Sequence, residues 1–204
     1  MDDFSSWIGK SDRQSDVITK GLVERYKAVI GSDDVEGAIP YGLHWCTCLP
    51  KAPMNELGQD GHPKTGSFLP PSKLPRRMWA SSKVDFLSPI RINSKIERVS
   101  KIKSVTKKNG RSGVLLFVEV EHVSVVGGKE AIRETQTIVY REASSARAKL
   151  PMAKVVRLDD WKQAKTVMPT PALLFRYSAL TFNSHRIHYD RDYASDIELS
   201  LIHI

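Results

Sequence analysis

LLFRYSALTFNSHRIHYDRD, residues 173–192, is the stretch in which strand-forming residues and reactive side chains meet. Its first half, residues 173–182, is rich in the apolar, aromatic and hydroxyl side chains that are typical of a β-strand. From Asn183 onward the residues suit a turn or the start of a helix. We therefore predict a strand that carries a polar segment at its end, and we expect this strand to join the edge of a sheet.

The polar segment contains a pair of histidines, His185 and His188, which at helical spacing share one face. Such a pair is compatible with surface residues of no special role, with two metal ligands, or with an acid and a base beside a substrate. A metal site needs a third and usually a fourth ligand. Asp190 and Asp192 are near, but no cysteine or carboxylate cluster upstream has matching spacing. His188 with Asn183 and His185 beside it has the composition that acid/base catalysis requires.

The segment LTFNSHRIHYDRDYA, residues 180–194, resembles the hydratase motif of MaoC-like dehydratases, which are (R)-specific enoyl-thioester hydratases with a hotdog fold. The usual family pattern is Asp-x-Asn-Pro-x-His, and aligning its last histidine places His188 on the catalytic histidine. Asn183 then occupies the position of the family's Asp, His185 that of its Asn and Arg186 that of its Pro. The pattern Asn-x-His-x-x-His-Tyr-Asp resembles one branch, the mitochondrial-type 3-hydroxyacyl-thioester dehydratases and the mesaconyl-CoA C4 hydratases.

Two further segments resemble the N-terminal hotdog of two-hotdog dehydratases. They are GQDGHPKTGSFLPPSKLPRRMWASSKVDFLSPI, residues 58–90, and RETQTIVYRE, residues 133–142. The resemblance implies that this hotdog lacks the acid/base residues and contributes substrate-binding surface. PRRMWA, residues 75–80, is its most specific part. Arg76, Arg77 and Trp79 are therefore candidates for binding CoA or a carrier phosphopantetheine, and a surface salt bridge is the alternative account of the arginines.

The composition is that of a globular protein, with 204 residues of which 41% are hydrophobic. The net charge of +8 suits an anionic partner, whether nucleic acid, membrane headgroups or a phosphorylated cofactor. No window approaches the roughly 18 apolar residues of a membrane span, and the start, MDDFSSWIGKSDRQ, has acidic residues where a signal peptide has basic ones. We predict a cytoplasmic protein. Cys46 and Cys48 are predicted to be reduced thiols, because their spacing suits neither a metal knuckle nor an ordinary disulfide.

Residues 15–31 are predicted to form a helix, because Ser15 or Asp16 can cap it, apolar residues recur near a 3.6-residue period and Gly31 can close it. Residues 37–72 are rich in proline and glycine, which leaves little room for regular structure. A loop of this length is usually functional or disordered. Its aromatic and apolar residues favour an ordered, packed loop over a flexible linker. A plain surface excursion is the alternative.

Four strands are predicted after this loop, and they are expected to form an antiparallel meander. They cover residues 78–86, 95–106, 113–125 and 129–141, with turn signals at Asn109-Gly110 and Gly127-Gly128. Basic residues on these strands, such as Arg98 and Lys101, are predicted to be solvated charges that protect an outer face. A nucleic-acid groove is the alternative, but no aromatic residues are interleaved with the basic ones and no helix-turn-helix or zinc motif is present.

The resemblance implies an α+β fold made of one hotdog, a curved antiparallel sheet wrapped around a central helix, followed by the start of a second. We expect residues 1–142 to be the noncatalytic N-terminal hotdog, 143–172 a linker and 173–198 the start of the catalytic hotdog. Residues 199–204, LSLIHI, do not continue the family pattern and resemble the translated end of a sequencing adapter. We therefore expect a truncated reading frame and a non-native tail.

The resemblance implies a hydro-lyase of the 3-hydroxyacyl-thioester dehydratase or enoyl-CoA hydratase type, in fatty acid metabolism, which uses no cofactor. His188 would be the principal acid/base, with His185 and Asn183 holding the water and tuning the imidazole. Backbone N–H groups at the start of the central helix would polarise the thioester carbonyl. The substrate would be an acyl-CoA or acyl-carrier thioester. A homodimer is compatible with this interpretation, and no metal, nucleic acid or membrane is expected to take part.

A noncatalytic module that binds acyl thioesters or serves as a scaffold is the alternative from a different class. The 204-residue chain is expected to be inactive by itself, because the roughly 30 residues after the linker are fewer than the 50 or more of a complete domain. Because the second domain is expected to be incomplete, His185 and His188 should lie on a frayed, solvent-accessible end of the chain. Amide exchange should then be rapid from about Asn183 onward.

Overall fold

The structure, a computed structural model, describes residues 4–31, 37–110, 113–143, 162 and 166–194. Most of the predicted linker and the whole of the predicted tail lie outside these residues. Among the described residues, no helix is both long and apolar enough to cross a membrane. Cys46 and Cys48 are buried free thiols, in agreement with the prediction that they are reduced.

One antiparallel sheet organises the described part of the chain. Its strands are β1 (Ser11–Val17), β2 (Arg76–Phe86), β3 (Lys95–Gly110), β4 (Gly113–Val126) and β5 (Lys129–Arg141), in the spatial order β1-β3-β4-β5-β2. The four predicted strands are therefore confirmed, and β3, β4 and β5 form the expected meander. Gly127 and Gly128, at the turn between β4 and β5, both have positive φ, which glycine adopts without steric cost.

The position of β2 differs from the prediction of a simple four-strand meander. This strand pairs with β5, from Arg76 opposite Arg141 to Phe86 opposite Ile132. The edge of β3 is taken by β1, in which Ser11 lies opposite Lys101. Strand propensity identifies the segments that are extended, but the order of strands depends on which edges and faces pack together across the whole sheet.

The first helix is shorter than predicted. Residues 11–17 form β1, and α1 covers Lys20–Ile30. Thr19 caps the helix, since its hydroxyl accepts a hydrogen bond from the backbone N–H of Leu22 at 3.1 Å. Gly31 ends it in the left-handed conformation, with φ of 60°, as the sequence predicts. Ser15 and Asp16 are therefore strand residues, and the prediction that they cap the helix is wrong.

Residues 173–182 form a helix instead of the predicted strand. The helix, α2, covers Pro171–Leu180. Thr170 caps it by accepting a hydrogen bond from the N–H of Leu173 at 3.2 Å, and Pro171 occupies the first turn, where its missing N–H is not needed. The strand prediction weighed the apolar residues and overlooked this Thr-Pro start, which favours a helix.

The core lies on one face of the sheet in two apolar clusters. The first joins α1, the loop after it and one end of the sheet, through residues that include Ile18, Val23, Tyr26, Leu43, Ile96 and Ile132. The second is built from Ile102, Leu116, Val118, Val120, Ile138 and Tyr140. Tyr177 and Leu180 of α2 pack against the first cluster. The residues that follow the linker are thus docked on the N-terminal part of the chain.

A polar band separates the two clusters along the strands. Glu134 is buried there and accepts hydrogen bonds from the indole N–H of Trp45, at 3.0 Å, and from the hydroxyl of Ser82. Arg98 donates to the backbone carbonyls of Thr47 and Cys48. The prediction that Arg98 is a solvated charge is therefore wrong: its guanidinium satisfies carbonyl groups of the long loop, which is ordered and packed as predicted.

Candidate active site

The polar half of the motif forms a tight turn after α2. Phe182 has a φ of 49° and reverses the chain, and the N–H of Asn183 donates to the carbonyl of Ser178 at 2.8 Å. A 3₁₀ turn, Arg186–His188, follows. Asp190 then caps the short helix α3 (Arg191–Tyr193) by accepting a hydrogen bond from the N–H of Tyr193 at 3.0 Å. His188 is thus held at the end of a defined turn.

Arg186 stabilises this turn through contacts with Asp190 and Tyr193. Its Nε and Nη2 atoms lie 3.0 and 2.6 Å from Oδ2 of Asp190, and its guanidinium lies 4.3 Å from the centre of the Tyr193 ring. Both charge-assisted hydrogen bonds end on the same carboxylate oxygen, and such bonds are short and strong. We conclude that Arg186, at the position of the family's proline, stabilises the turn that presents His188.

A loop from the N-terminal region packs against the motif. This loop, residues 58–63, is closed by a hydrogen bond from the N–H of Gly58 to the carbonyl of His62 at 2.7 Å. Ser184 donates its hydroxyl to the carbonyl of Gly61, and the N–H of Arg186 donates to the carbonyl of Asp60 at 2.9 Å. Gly61 has a φ of 84°, and a Cβ there would overlap the Ser184 carbonyl. Only glycine permits this close approach.

The contact brings one carboxylate and three imidazoles together, here called the histidine cluster: Asp60, His62, His185 and His188. Nδ1 of His62 lies 2.8 Å from Oδ2 of Asp60. The ring of His62 stacks on that of His185, with centroids 4.1 Å apart and planes inclined by 36°. His185 meets His188 edge to face at 5.7 Å. The N–H of His185 also donates to the side-chain oxygen of Asn183 at 3.0 Å.

The electrostatics of the cluster keep the imidazoles neutral. Burial lowers the pKa of His185 to about 3, with added repulsion from His62 and opposition from Asp60. Burial and repulsion from His62 also lower the pKa of His188. Burial raises the pKa of Asp60, but the hydrogen bonds and charge of His62 outweigh this effect, so the net pKa falls below its usual value. A carboxylate and neutral imidazoles therefore face each other at neutral pH.

The expectation of a frayed end is wrong for His185. Its side chain is 7% exposed, and the 58–63 loop covers it. The prediction considered only the residues that follow the motif and missed a partner from the N-terminal part of the chain. Tertiary contacts of this kind commonly order a short segment that is unstable alone.

His188 lines an apolar groove of about 940 Å³. The apolar side chains along the groove come from α2, from the turn after it and from the 50–63 region, and include Met54, Leu57, Leu174, Phe175, Phe182 and Ile187. Phe175 and Phe182 are 72% and 62% exposed. Asn183 and Tyr189 are among its polar residues. A groove with this lining suits an acyl chain whose reacting end lies near His188.

Metal ions are also bound by residues of these types. Among the described residues, Asp60, His62 and His185 each have a donor atom within 4.8 Å of the other two. Asp60 and His62 are already bonded to each other at 2.8 Å. Coordination through Oδ2 of Asp60 or Nδ1 of His62 would break that bond, whereas Nε2 of His62 takes no part in it. The contacts in this structure are those of a hydrogen-bonded pair whose imidazole stacks on His185.

The three predicted substrate-binding residues do not lie together in the structure. Arg77 lies beside the histidine cluster. Burial of His62 is the main cause of its lowered pKa, and the charge of Arg77 lowers it further. Arg76 is 3% exposed. Trp79 is 53% exposed, donates to Ser82 at 2.9 Å and belongs to the group of side chains around Glu134. A role for any of the three in substrate binding stays a prediction.

Sequence reasoning missed Asp60 and His62. The signal was present in the quoted segment GQDGHP, where a carboxylate and an imidazole flank the turn-forming Gly61. In the chain, 123 residues separate Gly61 from Ser184, its partner in the motif. No local pattern connects residues so far apart, so only the folded chain shows that they share a site.

Comparisons with known proteins point to one family. Residues 42–200 match the family described as hydroxyacyl-thioester dehydratase type 2. The chain is 41% identical over 202 residues to mesaconyl-C(4)-CoA hydratase of Chloroflexus aurantiacus, covering 96% of this chain and 71% of that protein. It is 28% identical over 181 residues to the mitochondrial hydroxyacyl-thioester dehydratase type 2 of Schizosaccharomyces pombe, covering 77% of this chain and 59% of that protein.

Solved structures agree on the fold. A MaoC-like dehydratase superimposes with a TM-score of 0.62 at 13% identity, over 97% of this chain and 73% of that one. HtdX of Mycobacterium tuberculosis superimposes with a TM-score of 0.58 at 16% identity, over 90% of this chain and 66% of that one. The predicted α+β hotdog fold is confirmed.

The family match covers most of the chain, and it includes both the 58–63 loop and the histidine motif. The 41% identical relative extends the agreement over nearly the whole sequence. The chain therefore belongs to the hydroxyacyl-thioester dehydratase type 2 family, which places it among the acyl-thioester hydratases and dehydratases, enzymes of the hydro-lyase class.

Proposed function

We propose that the protein hydrates the double bond of an enoyl thioester, and catalyses the reverse dehydration, with His188 as the acid/base. One observation carries the proposal: His188 lies where the buried imidazoles meet the apolar groove. A titratable group between a polar cluster and an apolar cleft is the arrangement expected of an acid/base residue.

In the hydration direction, His188 takes a proton from water while the water oxygen bonds to the β-carbon of the substrate. The electron pair of the double bond moves to the thioester carbonyl as an enolate, and the proton is then delivered to the α-carbon. The low pKa of His188, caused by burial and by repulsion from His62, keeps its imidazole neutral and ready to accept a proton.

Asn183 and His185 are assigned to holding the water. The side-chain oxygen of Asn183 is already bonded to the N–H of His185, so its amide NH₂ is left to face the groove that it lines. Asn183 orients but cannot transfer a proton, because an amide does not titrate in this range. His188 is then the group that exchanges the proton.

The substrate class follows from the groove and the charge. An apolar groove accepts an acyl chain, and a net charge of +8 suits the phosphates of CoA or of a carrier phosphopantetheine. Arg77, beside the histidine cluster, is the arginine best placed to meet a carboxylate on the acyl group. Because one relative is named a mesaconyl-C(4)-CoA hydratase, an unsaturated acyl-CoA with a free carboxylate is the first substrate to test.

The domain division is part of the proposal. Residues 1–142 would form an N-terminal hotdog, residues 143–172 a linker, and residues 173–198 the start of a second hotdog that carries the acid/base residues. In this division α2, which follows the linker and packs on the first apolar cluster through Tyr177 and Leu180, would join the second part to the first. A cytoplasmic location, a role in fatty acid metabolism and a homodimer stay predictions.

The test compares two substrates, crotonyl-CoA and mesaconyl-C4-CoA. We expect loss of the conjugated thioester absorbance with at least one of them, and loss of this activity in His188→Ala. The alternative, a noncatalytic acyl-thioester module, predicts saturable binding of both thioesters with no turnover. Turnover that persists in His188→Ala would remove His188 from the mechanism.

A further inference from the structure

We propose that Asp60 and His62, supplied by the 58–63 loop, form a positioning dyad that acts on His188 through His185. The inference rests on the proposed function, since it gives the dyad a part in the proton transfer at His188. It assigns to the N-terminal hotdog, which by resemblance lacks acid/base residues, the carboxylate that orients the catalytic imidazoles.

The first step is that the loop holds His185 from both sides. Ser184 bonds to the carbonyl of Gly61, and the N–H of Arg186 bonds to the carbonyl of Asp60 at 2.9 Å. His185 lies between these two anchored residues, so its backbone cannot shift relative to the loop without breaking one of the bonds. The loop is therefore fixed relative to the motif at His185, whose ring contacts the acid/base His188.

The second step is the tautomer of His62. Oδ1 of Asp60 accepts from the backbone N–H of His62 at 3.1 Å, and Oδ2 faces Nδ1 of the same residue at 2.8 Å. An ionised carboxylate only accepts hydrogen bonds, so Nδ1 carries the proton and Nε2 carries the lone pair. Asp60 thereby orients the ring that stacks on His185 and selects one of its two neutral forms.

The third step concerns the carboxylate that serves the cluster. Asp190 is engaged by the guanidinium of Arg186 and by the N–H of Tyr193, on the turn that braces the motif. In the described residues, the carboxylate bonded to the cluster is Asp60. The charged and titratable groups that face His185 are Asp60, His62, His188 and Arg77, so Asp60 is the negative charge that opposes Arg77 there.

The fourth step is that the ring of His185 lies between the rings of His62 and His188. Its Nε2 is buried and has no hydrogen-bond partner among the described residues, and its ring contacts His62 on one side and His188 on the other. A buried ring nitrogen without a partner calls for an explanation, such as a catalytic role or a bound water. His185 is thus the ring through which the dyad reaches His188.

The first test uses NMR of the 204-residue chain and needs no turnover. In the wild type, the ¹⁵N shifts of His62 should show a single neutral form with the proton on Nδ1. Asp60→Asn, which keeps the size of the side chain, should lower the pKa of His62 and His185. His62→Gln should raise the pKa of His188. Asp85→Asn, a carboxylate substitution on β2, is the matched control and should change none of these values.

The second test is kinetic. Asp60→Asn should lower kcat about tenfold with KM little changed, because an interaction that helps the transition state is lost while binding remains. Asp60→Glu should restore part of the rate. If His188→Ala abolishes activity while Asp60→Asn retains full kcat and the histidine shifts do not move, the proposed function holds and the dyad does not.

One further outcome would overturn the proposal in favour of a metal site. If stoichiometric Zn²⁺ alone shifted the ring ¹⁵N signals of His62 and His185 together, the pair would be a ligand set. Absence of such a change at stoichiometric Zn²⁺, with the predicted response to Asp60→Asn, supports the positioning dyad.

Discussion

His122 and His185 are both withdrawn from water, yet they lie in different surroundings. Burial lowers the pKa of both, to about 4 for His122 and about 3 for His185. His122 is hydrogen-bonded at both ring nitrogens, by Ser100 at 2.8 Å and by Gln136 at 3.4 Å. Nε2 of His185 has no partner in the described residues, and the neighbouring His188 lines the groove.

The difference shows that a lowered pKa does not by itself identify an active site. The partners of His122 come from neighbouring strands of one sheet, and they leave its ring no capacity for a substrate. The histidine cluster is built across a contact between distant parts of the chain. It keeps an unused nitrogen on His185, and the neighbouring His188 lines the open groove. We therefore assign a structural role to His122 and a functional role to the cluster, and each prediction below tests that division.

The largest expected effect is on turnover. His188→Ala should lower kcat by at least about a hundredfold, the usual scale for the loss of a general acid or base. His122→Ala should leave kcat per folded molecule unchanged and lower the free energy of unfolding by about 1–3 kcal/mol, because Ser100 and Gln136 lose their partner. Steady-state kinetics and urea unfolding measure the two effects. A large loss of kcat in His122→Ala would contradict the assignment of a purely structural role to His122.

The next effect is on the contact that builds the cluster. Gly61→Ala places a methyl group against the Ser184 carbonyl at a φ of 84°, and we expect it to lower the free energy of unfolding by about 1–3 kcal/mol and to expose His185. Gly127→Ala is the matched control, since it has a φ of 57° and nothing within 4 Å. It should cost about 1–2 kcal/mol from backbone strain alone and leave His185 protected.

Amide exchange reports which of the two variants opens the site. We expect faster exchange at residues 183–188 in Gly61→Ala and unchanged exchange there in Gly127→Ala. Equal protection of the motif in both variants would show that the 58–63 loop is not needed to hold it.

The third effect is the dependence of stability on pH. Both histidines have a folded pKa below the unfolded value of 6.5, so the unfolded chain binds more protons between these values. Their stabilising contribution is therefore present above pH 6.5 and is lost as pH falls toward about 4 for His122 and about 3 for His185. His122→Gln should reduce the slope of unfolding free energy against pH by up to about 1.4 kcal/mol per pH unit in this window.

The corresponding His185→Gln change should act on a smaller part of the structure. We expect it to alter the pH dependence of exchange in the motif more than that of global unfolding, because the sheet that holds His122 unfolds as a unit. Urea titrations and amide exchange at several pH values separate the two responses. An unchanged slope in His122→Gln, with unchanged exchange in His185→Gln, would show that neither histidine has a lowered pKa in the folded state.

The smallest expected effect is a shift in the pH–rate profile. Asn183→Asp places a carboxylate beside two neutral imidazoles, and a nearby negative charge favours their protonated forms and raises their pKa. The limb of the profile that reports imidazole should therefore move to higher pH. Ser104→Asp, a substitution on the sheet, is the control and should leave the profile unchanged. If Asn183→Asp keeps both the profile and the rate of the wild type, Asn183 is not near the titrating group.

Local sequence determined much of the sheet. Alternation of apolar and polar residues, bounded by turn dipeptides such as Gly127-Gly128, located β2 to β5 closely, because a strand with one buried face needs a period of two. Gly31 was likewise identified as the end of α1. The resemblance in residues 180–194 pointed to the family, and the comparisons confirmed it.

A second group of features was local but was weighed wrongly. The Thr170-Pro171 start of α2 is a helix signal, but the apolar residues after it also suit a strand, because periodicity is ambiguous over so short a run. Thr19, one residue before α1, was overlooked in favour of Ser15 and Asp16. These errors concern choices between competing local signals.

The tertiary structure alone decided the order of the strands, the burial of Arg98 and the assembly of the histidine cluster. Each depends on groups far apart in the chain, as in the contact between Gly61 and Ser184. A sequence pattern reports which residues can be buried or can hydrogen-bond, since those properties are local. Which distant partner satisfies a given carbonyl, guanidinium or imidazole depends on how the whole chain packs, so Asp60 and His62 could be assigned to the site only in the folded protein.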